Sequence, residues 1–430
     1  MARFLLKAAA GIALAGLTAA CGLSGTQSQD QQNQAVSGDI TGTIKFQTWN
    51  LKAKFTPYFT GLVNAFQAQH PGVKIDWVDQ PADNYADKLT ADAAAGSLPD
   101  VVNTSPDLAY PLYKKGVLLD LSKADPKAKD AFTDEAWASG VMPGSADNFA
   151  LPWYLNTGPY FYNKKLFADS GLDPAKPPTT YDELQQQALT LASKSQGNIA
   201  MLGSTPTVED LALYGVKIMN DDQSAFTFND AKAVALVDMY KKMYDAKALL
   251  PEALSDTYTG AGKKFMAQQV AFTSGSAYDL QNFKRDAPTL YPNVGITKAL
   301  TNTGHNNMYV QSLSVPANSK NKATAVAFAE FVTNAQNQLA FAKIVNIFPS
   351  TKGSLDDPFF TRQDGTDDAK VRVAAAQQLR GAINYTPAKM SDPMKKAIQR
   401  EVANAMLGKK SAQQALDDAV KQCDQLLANS

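Results

Sequence analysis

Asn148 to Leu184 reads NFALPWYLNTGPYFYNKKLFADSGLDPAKPPTTYDEL, and the division of this run decides the fold. Phe149 to Leu155 has the composition of a short buried strand, and Pro159 to Asn163 that of a second extended piece rich in Tyr and Phe. Gly158 and Pro159 lie between them, so the chain is expected to cross from one body to another there. A turn follows at Pro174, Pro177 and Pro178, after which Thr180 is placed to cap a helix, with Glu183 three residues on completing a capping box. Leu184, Ala188 and Leu191 then share one helical face.

Upstream, the chain opens with Arg3 and Lys7 and an apolar run from Ala8 to Ala20. That run is too short for an ordinary membrane-spanning helix and has the layout of a signal peptide. Ala19 and Ala20 before Cys21 resemble a bacterial lipobox, although Leu17 sits one position further out than the commonest pattern has it. Residues 1–21 are therefore expected to be a lipoprotein signal ending at Cys21, the lipidation site; ordinary cleavage nearby is the alternative. Residues 22–39, rich in Gln, Ser, Gly and Asn, bury too little surface to offset the entropy of ordering and read as a flexible tether.

About 390 residues remain, enough for two domains. The chain carries 41 basic and 41 acidic residues, and loss of Arg3 and Lys7 leaves 39 against 41. So balanced a surface gives no electrostatic ground for a nucleic-acid partner. With Cys21 lipidated, only Cys423 is left, and it shares a helical face with Leu416, Ala419 and Leu427, as a buried hydrophobe would. His70 and His305 are the two histidines, and no HExxH or CxxC spacing occurs, so neither a metal site nor a cofactor is expected. His70 belongs to a surface turn, whereas His305, in the polar loop TNTGHNN, is the better placed of the two to meet a ligand.

The body of the chain alternates strand and helix. Thr43–Thr48 alternates as a strand, Phe55–Gln69 puts Phe59, Leu62, Val63 and Phe66 on one helical face, and Val73–Val78 is a strand again. Asp83–Ala95 is a second helix and Pro99–Asn103 a third strand. This succession predicts a parallel sheet covered by helices on both faces, with ligands at the carboxyl ends of its strands. Trp49 and Asn50, Asp79 and Gln80, and Thr104 to Asp107 occupy those ends.

Five segments in order carry a family resemblance. The extended piece with Tyr162-Asn163-Lys164 and its proline turn is the first, and KKFMAQQVAFTSGSAYD from Lys263 to Asp279 the second. Tyr309–Pro316 with the helix Lys322–Thr333, then Ile347–Ser350, then Gly408 and Ser411 ahead of a closing helix complete the set. Together they resemble the extracellular solute-binding proteins of bacterial ABC importers, in particular the sugar-binding family that includes maltose-binding protein. The resemblance runs from about residue 42 to 427. It implies an α/β fold of two lobes, type II-like, each a mostly parallel sheet with helices on both faces, around a hinged cleft. The lobes would comprise 40–155 with 297–345 and 158–295 with 348–430, hinged near 156, 296 and 347. It also implies a monomer that passes a small-molecule sugar or oligosaccharide to membrane permease subunits, tethered to the membrane by its lipid anchor.

Sugar sites combine flat aromatic faces with planar polar groups. Trp153, Tyr154 and Asn156 supply both in four residues, unless Trp153 fills the core beneath the crossing. The resemblance places Asn156 and Asp107 where the family has groups that bond sugar hydroxyls, Asp107 being equally suited to cap the helix after it. It offers Tyr278 as a stacking ring, one position later than the commonest Gly-Ser-Trp. Trp49, Asn50 and His305 complete the expected ligand set; Tyr85 and Trp137 read as packing. An exported carbohydrate-active hydrolase would need two carboxylates across a cleft, and no such pair stands out. A receptor for a non-sugar polar solute stays open, while a scaffolding lipoprotein leaves the aromatic and amide strand ends unexplained.

Overall fold

Alternating side chains after Gly42 form strand β1 (Gly42–Trp49) in the computed structural model. The structure describes residues 35–429 except 82, 256–259 and 346, and of these the side chains of 277 and 278 are left aside. Cys21 and most of the expected tether lie outside the described residues. Strands β2 (Val73–Gln80) and β3 (Val101–Thr104) flank β1, both parallel to it. The helices Lys52–Gln69 and Tyr85–Ala94 make the crossovers, and the first buries Phe59, Leu62, Val63 and Phe66, the face its spacing predicts.

The sheet continues with β8 (Tyr309–Ser314), β4 (Leu151–Asn156) and β9 (Phe348–Pro349) in the order β2-β1-β3-β8-β4-β9, and each of these added pairs is antiparallel. A second sheet, β6-β5-β7, joins β5 (Tyr160–Asn163) to β6 (Phe272–Ser274) and β7 (Val294–Thr297), again antiparallel. The expectation of mostly parallel sheets thus holds for β2-β1-β3 alone. The reason is the crossing itself: β4 leaves the first sheet at its cleft end and β8 re-enters there, so the two must run in opposite directions.

Each sheet has its own core. Ile44, Phe46, Phe59, Phe328 and Phe341 anchor the first, and Tyr181, Leu184, Val237, Met243, Ile398 and Leu416 the second. Helix ends are set locally. Thr180 and Glu183 form the reciprocal capping box that starts helix Tyr181–Lys194, and Ser411 and Gln414 do the same for Ala412–Ala428. Cys423 on that last helix is enclosed and free, and burial pushes its thiol up to about 12.

Two of the expected hinge positions shift. Phe348 pairs with Leu155 in the first sheet, and Phe360, Ala376 and Leu379 pack in the first core, so the chain does not cross at 347. The second passage falls after β7, in residues 298–308, and the third follows Ala382. These passages meet at Asn307. Its carbonyl accepts from Thr157 Oγ1 at 2.9 Å, its side-chain oxygen accepts from the Tyr385 amide at 3.1 Å, and its backbone bridges to Ile383. The segment that looked like a crossing is an edge strand, which has the same extended, apolar composition.

Candidate functional site

The turn after β1 is built by Asp79, from the end of β2. Its carboxylate accepts from Thr48 Oγ1 at 2.6 Å and from the backbone amides of Leu51 and Lys52 at 3.0 and 3.1 Å. Asn50 takes a left-handed conformation in this turn (φ 55°), which Asn tolerates better than most residues. Held this way, the Trp49 indole lies flat on Tyr85, ring centroids 4.6 Å apart and planes at 4°. Tyr85 is buried beneath it, and its hydroxyl donates to the Asn103 carbonyl at 2.5 Å.

The neighbouring wall comes from β4 and β8. Their register shifts between Pro152 and Tyr154, so Trp153 occupies a bulge and Tyr154 falls opposite Gln311, with Asn156 opposite Tyr309. A bulge re-aims side chains, and here it sends the two neighbours to different places. Tyr154 and Asn156 reach the cavity, Tyr154 with its ring still edge-on to Trp153 and Phe341. Trp153 turns inward, has no exposed surface and packs against Phe341, Phe59 and Phe46. Its expected place in the cleft is corrected: three phenylalanines already define an aromatic core at that level, and the bulged position points into it.

Together these groups line a cavity of about 610 Å³. From the first body come Trp49, Asn50, Lys54, Tyr154, Asn156 and Gln311, and from the second Ser276 and Gln281. Ser276 caps helix Ala277–Asp286 in a capping box with Asp279. Where β5 begins beside the end of β6, a Cβ on Gly158 would lie 2.0 Å from the Gly275 carbonyl oxygen, so only glycine fits there. Gln281 is steadied by Asp368, which accepts from its amide at 3.1 Å.

Asp107 is placed elsewhere. It accepts from Ser105 Oγ at 2.5 Å and pairs with Lys395 at 2.9 Å, so its carboxylate joins the first body to helix Asp392–Met406 of the second. Burial disfavours the Lys395 charge, but the charge of Asp107 and its hydrogen bond outweigh this and raise the pKa. Lys395 also borders a smaller cavity of about 250 Å³ with Thr205, Thr207 and Glu209. His305 does not line the larger cavity; its Nδ1 lies 3.0 Å from the Gly381 carbonyl, next to the passage that follows Ala382. Tyr278 falls in helix Ala277–Asp286, with its side chain outside the described set. Among the described residues no group of three or more His, Cys, Asp or Glu is arranged to hold a metal ion, and no helix is long and apolar enough to cross a membrane.

The geometry joins Trp49, Asn50, Tyr154 and Asn156 from the expected set, and adds the polar groups Lys54, Gln311, Ser276 and Gln281, which sequence reasoning passed over. The signal for Gln311 was present as the alternation of Tyr309 and Gln311 with buried Val310.

Residues 52–339 match the model of the family described as bacterial extracellular solute-binding protein. The chain belongs to that family. Its members are binding proteins rather than enzymes, and the two-lobed fold agrees with solved structures. A crystal structure from Synechococcus sp. MITs9220, named for an inferred oligosaccharide-binding role and holding zinc, superposes with a TM-score of 0.80 at 25% identity, over 90% of this chain and 99% of that one. The sugar-binding protein MalE from Xanthomonas citri gives 0.72 at 19% identity, over 90% and 98%. In sequence, the sn-glycerol-3-phosphate-binding periplasmic protein UgpB of Shigella dysenteriae is 25% identical over 430 residues, covering 91% of this chain and 94% of UgpB.

Proposed function

We propose that this solute-binding protein captures a sugar or oligosaccharide between its lobes outside the cytoplasmic membrane and delivers it to the permease subunits of an ABC importer. The observation that carries this reading is the cavity whose walls combine the Trp49 and Tyr154 rings with the amides of Asn50, Asn156, Gln311 and Gln281 and the Ser276 hydroxyl. Rings pack on the apolar face of a sugar, and amides reach its hydroxyls. Ligand bonded to both walls would favour a closed state, with bending at the three passages that meet at Asn307. Cys21 is proposed to carry lipid, and the segment after it to act as the tether of a monomeric receptor.

A thermal-shift panel of maltose, maltotriose, other oligosaccharides and glycerol 3-phosphate tests the reading. Saturable protection by a sugar without turnover is expected. Protection by glycerol 3-phosphate alone would replace the sugar with a phosphorylated polyol, and turnover of a glycan would make the protein a hydrolase. Replacing Cys21 with Ser should release the protein from membranes; unchanged fractionation and processing would remove the anchor.

A further inference from the structure

We propose that Gln311 is a specificity-determining residue of this cavity, a hydrogen-bond donor fixed in orientation by the buried positioning residue Asn103, and that it selects ligands offering a hydroxyl or ring oxygen at the wall it shares with Tyr154. The proposal rests on the sugar-binding reading given above. Its basis is a pair of hydrogen bonds that fixes which end of each amide faces the other, with Asn103 Oδ1 left enclosed and without a partner.

Asn103 is fully enclosed. One atom of its amide lies 3.2 Å from the Ser312 carbonyl oxygen and 3.0 Å from the Gln311 side-chain amide. A carbonyl oxygen only accepts, so that atom is Nδ2, a donor. Gln311 must then accept from it through Oε1. What remains of the Gln311 amide is Nε2, which carries two N–H groups. Among the described residues no hydrogen bond engages that nitrogen, nor is it a buried atom lacking a partner. Gln311 lines the cavity, directly opposite Tyr154 in the strand register, so its free donors serve the cavity.

Asn103 has a second hold on the same site. Its backbone carbonyl accepts the Tyr85 hydroxyl, and Tyr85 is the ring on which Trp49 lies. Tyr85 in turn accepts from Gln47 Nε2 at 3.2 Å. One buried residue therefore sets both the backing of the stacking platform and the polarity of the neighbouring amide. A donor fixed in this way rewards an oxygen acceptor and penalises a ligand that brings another donor or an apolar group to the same point.

Two measurements test this. In the free protein, the side-chain amide of Gln311, assigned by its loss in Gln311→Met, should exchange its Nε2 protons freely with water; protected protons would mean that the nitrogen faces Asn103 and would overturn the assignment. Calorimetry with maltose, maltotriose and raffinose then compares wild type with Gln311→Glu and Asn103→Asp, each of which puts an acceptor where the donor stood. Each should weaken the sugar that binds wild type by about tenfold or more, the scale of one lost hydrogen bond that leaves a partner unsatisfied. Asn103→Asp combined with Gln311→Met should weaken it no further than Gln311→Met alone, because Asn103 acts on the ligand through Gln311. A purely structural Asn103 would add its own loss to that of Gln311→Met and would overturn the positioning role. If wild type binds a sugar and the single variants bind it equally well, the inference falls and the sugar-binding reading stands. If no sugar binds wild type, the sugar-binding reading fails and takes the inference with it.

Discussion

Trp49 and Trp153 belong to the same sheet and both touch other aromatic rings, yet one serves the cavity and the other the core. Trp49 is the last residue of β1 and has Tyr85 against one face, which leaves the other toward the cavity. Trp153 lies inside β4 with Phe341 stacked at 5.7 Å and Phe46 and Phe59 meeting it edge-on. A ring at the carboxyl end of a strand keeps a face free because the sheet stops beneath it. A ring in mid-strand that points inward is covered on every side.

Removing each ring should separate the two roles. Trp153→Ala deletes a fully enclosed side chain and should cost about 3 to 5 kcal/mol of unfolding free energy, while the folded fraction binds sugar normally. Urea unfolding with parallel calorimetry checks this, and a binding loss at unchanged stability would return Trp153 to the site. Trp49→Ala should do the reverse, costing roughly 1 to 3 kcal/mol of sugar affinity, as for a central aromatic anchor, with a smaller effect on stability. Equal effects of the two substitutions on stability would erase the distinction between the two rings.

These two residues also mark what the sequence made legible. Capping boxes at Thr180 and Ser411 were readable because all their partners lie within four residues. The parallel β2-β1-β3 unit followed from local periodicity in the same way. Trp153 was not readable, because residue type does not tell which face a bulged strand presents. Gln311 escaped notice because its meaning comes from Asn103, 208 positions away. The third passage was misplaced for a similar reason: an edge strand and a crossing are written in the same extended, apolar residues, and only the partner strand distinguishes them.

A third substitution should act on folding without touching the site. Glu330, on helix Lys322–Thr333 of the first body, has one enclosed carboxylate oxygen without a partner and faces Asp125. Burial, helped by the charge of Asp125, raises its pKa to about 7. A carboxyl whose folded pKa exceeds its unfolded value binds its proton more tightly when folded. Its stabilising contribution is therefore complete at low pH and is lost as pH rises from the ordinary carboxylate range through about 7. The melting temperature should fall between about pH 5 and pH 8, and Glu330→Gln should flatten that fall while leaving sugar affinity at its wild-type value. A slope unchanged by the substitution would assign the pH dependence to other groups.

The smallest effect is expected where neither ring-like role applies. Asp107, which the family resemblance gives to sugar hydroxyls, is bonded to Lys395 across the two bodies, and both side chains are partly exposed, at 19% and 35%. A pair so accessible to water contributes on the order of 0.5 to 1 kcal/mol. Lys395→Met should accordingly shift the free protein toward a more open form and weaken maltotriose binding by roughly two- to fivefold, with the melting temperature nearly unchanged. Small-angle scattering should show a larger radius of gyration for the variant without sugar. Asp107→Asn is the discriminating partner. If the carboxylate acts only through Lys395, the two substitutions weaken binding equally and combine without further loss. If it also bonds the sugar, Asp107→Asn costs tenfold or so beyond Lys395→Met, because a hydroxyl is then left without its acceptor. Trp153 would answer to stability, Trp49 to contact and Lys395 to closure, and the double substitution decides whether Asp107 belongs with Lys395 alone.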